Sequence, residues 1–210
     1  MKNIKINALA SLMVNILNIV FPLVTNPYLT RILSKSNYSY FNTANTWASF
    51  VIPLAAFGIY NYGIRSISKV KDDKSKINYV FSKLFYISII TSVTTTAIYF
   101  LFIDYGTNIE NLKILYYILG AQALFQFLNI EWMNEAYENY TFILYKTLFI
   151  RIAMLVAIFT FVKTEDDIVP YALIMTATTI LNYLLSFAWI KREVSFISAE
   201  IGRASCRERV

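Results

Sequence analysis

The sequence predicts an all-α fold: a polytopic transmembrane helical bundle of six spans. Three observations carry that prediction. Charged residues make up only 15% of the chain, against 57% hydrophobic and 17% aromatic, whereas a soluble domain has roughly a quarter charged. Apolar stretches near the ~20 residues needed to cross the hydrocarbon core recur at 6–32, 41–60, 84–103, 114–132, 142–162 and 168–190. Lysine and arginine gather in alternate connections between these stretches, as membrane topology requires.

The first stretch is unusual for a span that meets only lipid. Asn7, Ser11, Asn15, Asn18, Pro22 and Thr25 follow one another in steps of three or four and therefore stack on one helical face. Pro22 and Pro27 are expected to kink the helix rather than end it, since neighbouring groups can satisfy the freed carbonyls. Arg31 closes the run. A polar stripe, two prolines and a terminal cation suit the wall of a polar cavity. Met1–Lys5 is basic and too short for a cleavable signal.

The second span, about Phe41–Tyr60, contains Trp47 and Pro53, and a hydrophilic connector from Arg65 to Lys83 follows it. The third, Leu84–Ile103, carries a hydroxyl cluster at Ser88, Thr91, Ser92, Thr94, Thr95 and Thr96. After the short loop Asp104–Lys113 comes the fourth span, about Ile114–Trp132, whose Gln122, Gln126 and Asn129 repeat the striped pattern. Glu131, Glu135 and Glu138 share a helical face, which reads as a solvated cytoplasmic elbow or, alternatively, as a proton relay with Glu131 as its membrane-bordering member. The sixth span, Ile168–Ile190, repeats the stripe with Thr179, Asn182 and Ser186 and is closed by Lys191 and Arg192. For each stripe alone, interhelical hydrogen bonding is the simpler account; together with an internal arginine they indicate a hydrophilic cavity.

That arginine lies in the fifth span, Phe142–Val162, with Lys146 and Arg151 inside it. An intramembrane charge costs a few kcal/mol or more at mid-bilayer and should face the bundle interior. Arg151 is either neutralised by Gln122 or Gln126 for packing, or held as a fixed cation for an anionic substrate. Lys146 either snorkels to the surface or pairs with Glu131, because a hairpin turning at Tyr137–Asn139 sets those two at similar depth.

Orientation follows from the cations. With the N-terminus cytoplasmic, the inner side collects Lys2, Lys5, Arg65, Lys69, Lys71, Lys74, Lys76, Lys83, Lys191 and Arg192, and the outer side has Arg31, Lys35, Lys113 and Lys163. The basic connector also suits anionic lipid headgroups. The last ten residues, Ile201–Val210 (IGRASCRERV), are unrelated to what precedes them and resemble the translation of a common sequencing adapter, so they are expected to be non-native and the chain to be a fragment. Without their three arginines and one glutamate the formal charge of +6 becomes about +4.

Several chemistries are not indicated. Histidine is absent, which removes the commonest general base and metal ligand. The single cysteine, Cys206, excludes an intrachain disulfide. No GxxxxGK[ST] motif, metal-ligand cluster or nucleophile–base arrangement occurs. No catalytic residue, metal or cofactor is therefore expected, and no nucleic-acid partner, since the cations serve topology.

The stretch Pro22-Leu23-Val24-Thr25-Asn26-Pro27-Tyr28-Leu29-Thr30-Arg31-Ile32-Leu33 resembles the first span of bacterial polysaccharide flippases of the Wzx (RfbX) type, within the multidrug/oligosaccharidyl-lipid/polysaccharide exporter superfamily. Phe57-Gly58-Ile59-Tyr60-Asn61-Tyr62-Gly63-Ile64-Arg65, with Ser68-Lys69 and Asp72-Asp73-Lys74 after it, is similar to the family's second span and first inner loop. Asn129-Ile130-Glu131-Trp132, Phe161–Asp167 and Tyr171-Ala172 are similar to later landmarks. The chain departs from its relatives at Ser34–Ser39, where they usually place glycines, and at Asn134-Glu135-Ala136, where many carry a glutamine–glycine pair.

The resemblance implies one lobe, residues 1–196, of a twelve-to-fourteen-span MATE-like transporter. It would move undecaprenyl-pyrophosphate-linked oligosaccharide across the bacterial inner membrane by alternating access. Arg31, Arg65, Lys146 and Arg151 would meet pyrophosphate or acidic sugars, and Asn15, Asn18, Gln122 and Gln126 would bond sugar hydroxyls. Membrane lipids and polysaccharide polymerase machinery would be its partners. The alternatives are a MATE-like drug/cation antiporter, which wants carboxylates deep in its spans; a membrane-embedded glycan polymerase or glycosyltransferase, which usually displays a large outer loop; and a non-transporting scaffold.

Overall fold

The computed structural model describes residues 4–105 and 113–196. The proposed foreign tail lies outside the described residues. Among the described residues every regular element is helical: α1 (Ile4–Ile32), α2 (Lys35–Ala56), α3 (Ile59–Lys69), α4 (Lys74–Tyr105), α5 (Lys113–Leu124), α6 (Glu131–Ala136), α7 (Tyr140–Phe161) and α8 (Ile168–Ile190), with a short 3₁₀ turn at Phe125–Leu128. Five stretches are long and apolar enough to cross a membrane: Lys5–Ile32, Lys35–Lys69, Lys74–Tyr105, Tyr140–Phe161 and Ile168–Ile190. Their outer faces are apolar, with Leu23, Phe50, Ile90 and Phe149 all more than 60% exposed. Lipid takes up such faces; water would not tolerate so many together. The protein is a multi-spanning helical membrane protein.

Contacts between connections sort the helix ends into two groups. At one end Asn37 donates to the Glu165 carbonyl at 2.9 Å, and Tyr28 donates to the Val162 carbonyl at 2.8 Å. At the other, Lys71 pairs with Glu138 at 2.9 Å, and the Ser195 N–H donates to Asn78. Antiparallel register joins the two, since Trp47 stacks near Phe102 while the Thr91 hydroxyl donates to the Ala55 carbonyl. The end holding Ser34–Asn37, Asp104 and Lys163–Asp167 is therefore opposite the end holding the 65–83 connector, the 131–139 elbow and residues 191–195.

Three element boundaries differ from expectation. α2 stops at Ala56 because Phe57 and Gly58 both take left-handed backbone, φ 47° and 67°, and a steeply amphipathic α3 leaves in a new direction. The sequence runs the second span on to Tyr60 and places the rest of α3 in the segment leading into the connector and in the connector's first residues. α4 starts at Lys74, ten residues ahead of the apolar run, with the Asp73 carboxylate accepting from the N–H groups of Ser75 and Lys76 as a cap. The fourth pass is not one helix. α5 has 12 residues, about 18 Å at 1.5 Å per residue, too short to span alone. The chain then tightens into the 3₁₀ turn, leaves helical geometry at Asn129 (ψ 77°), and re-enters as α6.

The core lies between α2, α4, α5, α7 and α8 around Leu29, Phe41, Ala44, Ile103, Leu115, Leu119, Ile158 and Ile168. A second cluster under α3 and α6 centres on Ile67, Phe81, Phe85, Trp132 and Met133. There Gly63 touches Trp132 so closely that an added Cβ would lie 2.5 Å from the indole. α1 remains helical through both prolines. Beyond the loop that joins it to α2 it packs chiefly along α7 rather than α2, and this parting opens the molecule on one side.

A polar cleft between α1, α2, α7 and α8

The opening is a cleft of about 760 Å³ walled by α1, α2, α7 and α8, with Tyr60 of α3 and Glu131 and Glu135 of α6 at the end next to the 131–139 elbow. Most of the stripes foreseen on α1 and α8 face it, while Asn7, Ser11 and Ser186 do not line it. Asn15, Asn18, Pro22 and Thr25 line one wall, and Thr178, Thr179 and Asn182 line the other. Asn182 Oδ1 is buried and has no hydrogen-bond partner among the described residues. Phe41 and Tyr171, with ring centroids 4.7 Å apart, close the outer part.

Arg151 projects from the middle of α7 into this space, half-buried. Its Nη2 donates to Asn18 Oδ1 at 3.0 Å, and its guanidinium lies 4.5 Å from the centre of the Phe21 ring. Both partners belong to α1. An amide and a ring face orient the cation without neutralising it, and Arg151 makes no ion pair among the described residues. The glutamines expected near it lie elsewhere. Gln122 is buried and donates to Thr176 of α8 at 3.1 Å; Gln126 is buried in the 3₁₀ turn; neither lines the cleft.

Lys146 does pair with Glu131, Nζ to Oε2 at 2.5 Å, with the Lys146 side chain only 2% exposed. Its ammonium also donates to Ser186, whose hydroxyl donates to the same carboxylate oxygen. Three helices, α6, α7 and α8, thus meet in one neutralised cluster, and the lysine does not snorkel. The elbow is correspondingly less solvated than its sequence suggests. Glu135 accepts from the Tyr60 hydroxyl at 2.6 Å and Glu138 pairs with Lys71, so the three carboxylates grip three different elements. The shared helical face is lost because α6 ends at Ala136 and Glu138 turns into left-handed backbone, φ 56°. Arg31 is exposed at the end of α1 and Arg65 is exposed on α3; neither lines the cleft.

The sequence reading missed the contribution of α2. Asn42, Asn45 and Tyr38 line the cleft, and the signal was present: Lys35, Ser39, Asn42, Thr46 and Ser49 run in steps of four and three, and all are exposed.

The arrangement holds one uncompensated cation midway along walls of amides and hydroxyls, with carboxylates at the end next to the elbow. It is chemically suited to an elongated, polyhydroxylated ligand bearing negative charge.

Comparison with known proteins gives consistent results. The profile of a family described as "Polysaccharide biosynthesis protein" matches residues 4–208. An Escherichia coli (strain K12) protein named "Putative O-antigen transporter" is 23% identical over 181 residues, covering 84% of this chain and 42% of the relative. The chain thus spans about two fifths of the length of that relative. No solved structure gives a significant match. With a profile that runs along nearly the whole chain, the chain belongs to the polysaccharide biosynthesis protein family.

Proposed function

We propose that the chain is the N-terminal lobe of a flippase that moves undecaprenyl-pyrophosphate-linked oligosaccharide units across the bacterial inner membrane, with its N-terminus cytoplasmic. The observation that carries this reading is Arg151, a cation at mid-span in a polar cleft, oriented by Asn18 and Phe21 and left without a carboxylate. A charge is retained at such depth where something compensates it. A lipid-linked pyrophosphate or an acidic sugar does so on arrival and removes the compensation on departure. Asn15, Asn18 and Asn182 would bond sugar hydroxyls along the cleft. The ten-to-four distribution of cations between the two ends supports the orientation. Alternating access against a second lobe would expose the cleft to each side in turn. The polymerase machinery and membrane lipids are its natural partners in that role.

Glu131 and Glu135 at the inner end of the cleft lend something to the antiporter reading. Against it, Glu131 already neutralises Lys146 and Glu135 is engaged by Tyr60.

The test is Arg151→Ala in the full-length protein, scored as surface glycan export with membrane insertion monitored separately. Losing a charge-assisted contact of about 1.5–3 kcal/mol corresponds to roughly a ten- to hundredfold drop in export at unchanged protein level. Arg151→Lys should retain part of the activity if charge alone matters, and little if the planar fork grips phosphate through two bonds. Wild-type export by Arg151→Ala would overturn the assignment.

A further inference from the structure

The exposed face of α2 carries an extension of the cleft that its mid-span cation does not explain. Beside the main cleft lies a second hollow of about 650 Å³, lined by Lys35, Tyr38, Asn42, Thr46 and Trp47 among others. Tyr38 and Asn42 line both spaces, so the two adjoin at the outer half of α2.

Lys35, Ser39, Asn42, Thr46 and Ser49 form a single exposed stripe there, and Phe41, Ala44, Ala48, Val51 and Ala55 are buried on the opposite side of the helix. Some of this polarity is tolerable in lipid: Thr46 and Ser49 donate to the carbonyls one turn back, those of Asn42 and Asn45. The Asn42 amide has no such relief, since no partner for it occurs among the described residues, and an unsatisfied amide in hydrocarbon costs several kcal/mol. At the edge of the stripe, Trp47 is 38% exposed and is steadied by Phe102 of α4 at 5.4 Å.

We propose that this hollow is a sugar-binding subsite on the outer half of the pathway, in which a pyranose ring stacks on Trp47 while its hydroxyls bond Asn42, Ser39 and Thr46. The residue chemistry matches that ligand. An aromatic face takes the C–H side of a sugar ring, an amide both donates and accepts, the Ser39 hydroxyl can do either, and the Thr46 hydroxyl, committed as a donor to the Asn42 carbonyl, keeps lone pairs to accept from sugar hydroxyls. Lys35 at the rim supplies a cation for a carboxylate-bearing unit. A lipid-facing surface would need none of these groups, and a hollow that adjoins the cleft at Tyr38 and Asn42 lies within reach of a glycan held there. The inference rests on the reading of the cleft as a glycan pathway.

Two measurements test it in the full-length protein with its own cysteines replaced by serine. Thr46→Cys is exposed to a membrane-impermeant thiol reagent added from outside, with and without oligosaccharides released by mild acid from the cell's own surface polysaccharide. Labelling should proceed from water and be slowed severalfold by the oligosaccharide. Ile98→Cys on the apolar face of α4, 62% exposed, should stay unlabelled. A Thr46→Cys that cannot be labelled, because lipid or another part of the protein covers it, overturns the proposal, and so does labelling that the oligosaccharide leaves unchanged. In the second measurement Trp47→Ala should lower export severalfold at normal protein level while Trp47→Phe retains most of it; unchanged export by Trp47→Ala is the contrary result. If Arg151→Ala abolishes export while the α2 tests fail, only the subsite is lost. If Arg151→Ala exports normally, the reading of the cleft itself falls.

Discussion

The Lys146–Glu131–Ser186 cluster was half legible in the sequence, because a hairpin turning at Tyr137–Asn139 must bring residues 131 and 146 to similar depth. Ser186 was not, since nothing local says which face of α8 meets α7. The cluster's consequence is a sharp asymmetry between breaking the pair and replacing it. Glu131→Ala leaves a nearly inaccessible ammonium with one hydroxyl, and removal of one member of a buried pair costs about 3–5 kcal/mol. Replacing both, Glu131→Leu with Lys146→Met, should recover most of that loss, because an apolar pair of similar volume incurs no desolvation penalty. Thermal unfolding in detergent micelles, read for both singles and the double, gives the cycle; additive losses would mean the two side chains do not interact. Gly63 is the other residue at which packing has no slack. A Cβ there meets Trp132 at 2.5 Å, and Trp132 is fully enclosed between α3 and α4. Gly63→Ala should therefore lower stability by about 1–3 kcal/mol, the usual cost of overpacking. The same change at Gly58, where nothing lies within 4 Å, should act only through its left-handed backbone.

Elements begin and end where short polar groups catch free backbone donors, and two such carboxylates lie outside the spans: Asp73 caps α4, and Asp167, just ahead of α8, reaches back to the connection after α7. Asp73 is held below its usual range by the backbone N–H of Lys76 and that residue's side chain. Asp167 is held down by the N–H groups of Lys163 and Thr164. A depressed carboxylate contributes stability that is whole above its unfolded value of about 3.8 and is lost as pH falls through the lower folded value. The difference in melting temperature between the protein and Asp73→Ala or Asp167→Ala should therefore be constant from pH 7 to about pH 5 and close progressively below about pH 4. A gap that widens on acidification would contradict the caps. Such caps are readable from sequence, and Asp73 stands where a helix start needs it. The broken fourth pass was not readable. Its apolar run LFQFLNIEWM lacks proline and glycine, so hydropathy sees one span. The interruption is imposed by tertiary contacts, with Trp132 seated on Gly63 and Glu131 turned towards Lys146.

For the whole molecule, the decisive feature is that α1 parts from α2 and follows α7. The sequence announced a polar face on α1 and another on α8, and both were correct, but only the packing reveals that they face each other across a cleft with the unforeseen stripe of α2 beside them. Gln122 and Gln126 show the limit of such reasoning. Their stripe has the same steps as the others, yet it turns into the α5–α8 interface, because periodicity identifies a face and never its partner. The direction in which this bundle sits in the membrane is a separate physical matter, set by how cations distribute between its two ends. Reporter fusions at Ser75 and Glu193 should read cytoplasmic, and fusions at Tyr105 and Glu165 should read on the opposite side. Glu165 is the discriminating position. It lies beside Asn37 at one end of the bundle, so a fusion there reports on α1, α2, α7 and α8 together. Positive residues resist translocation when they crowd short connections next to spans, and the 65–83 connector alone holds six of them: Arg65, Lys69, Lys71, Lys74, Lys76 and Lys83. To invert the bundle, all six would have to cross. Changing Lys69, Lys71, Lys74 and Lys76 to glutamine should therefore yield a mixed or inverted reading at Glu165, whereas the same number of changes among Arg31, Lys35, Lys113 and Lys163 should leave it untouched. A cytoplasmic reading at Glu165 in the unaltered protein would mean that the charge argument orients the bundle the wrong way round.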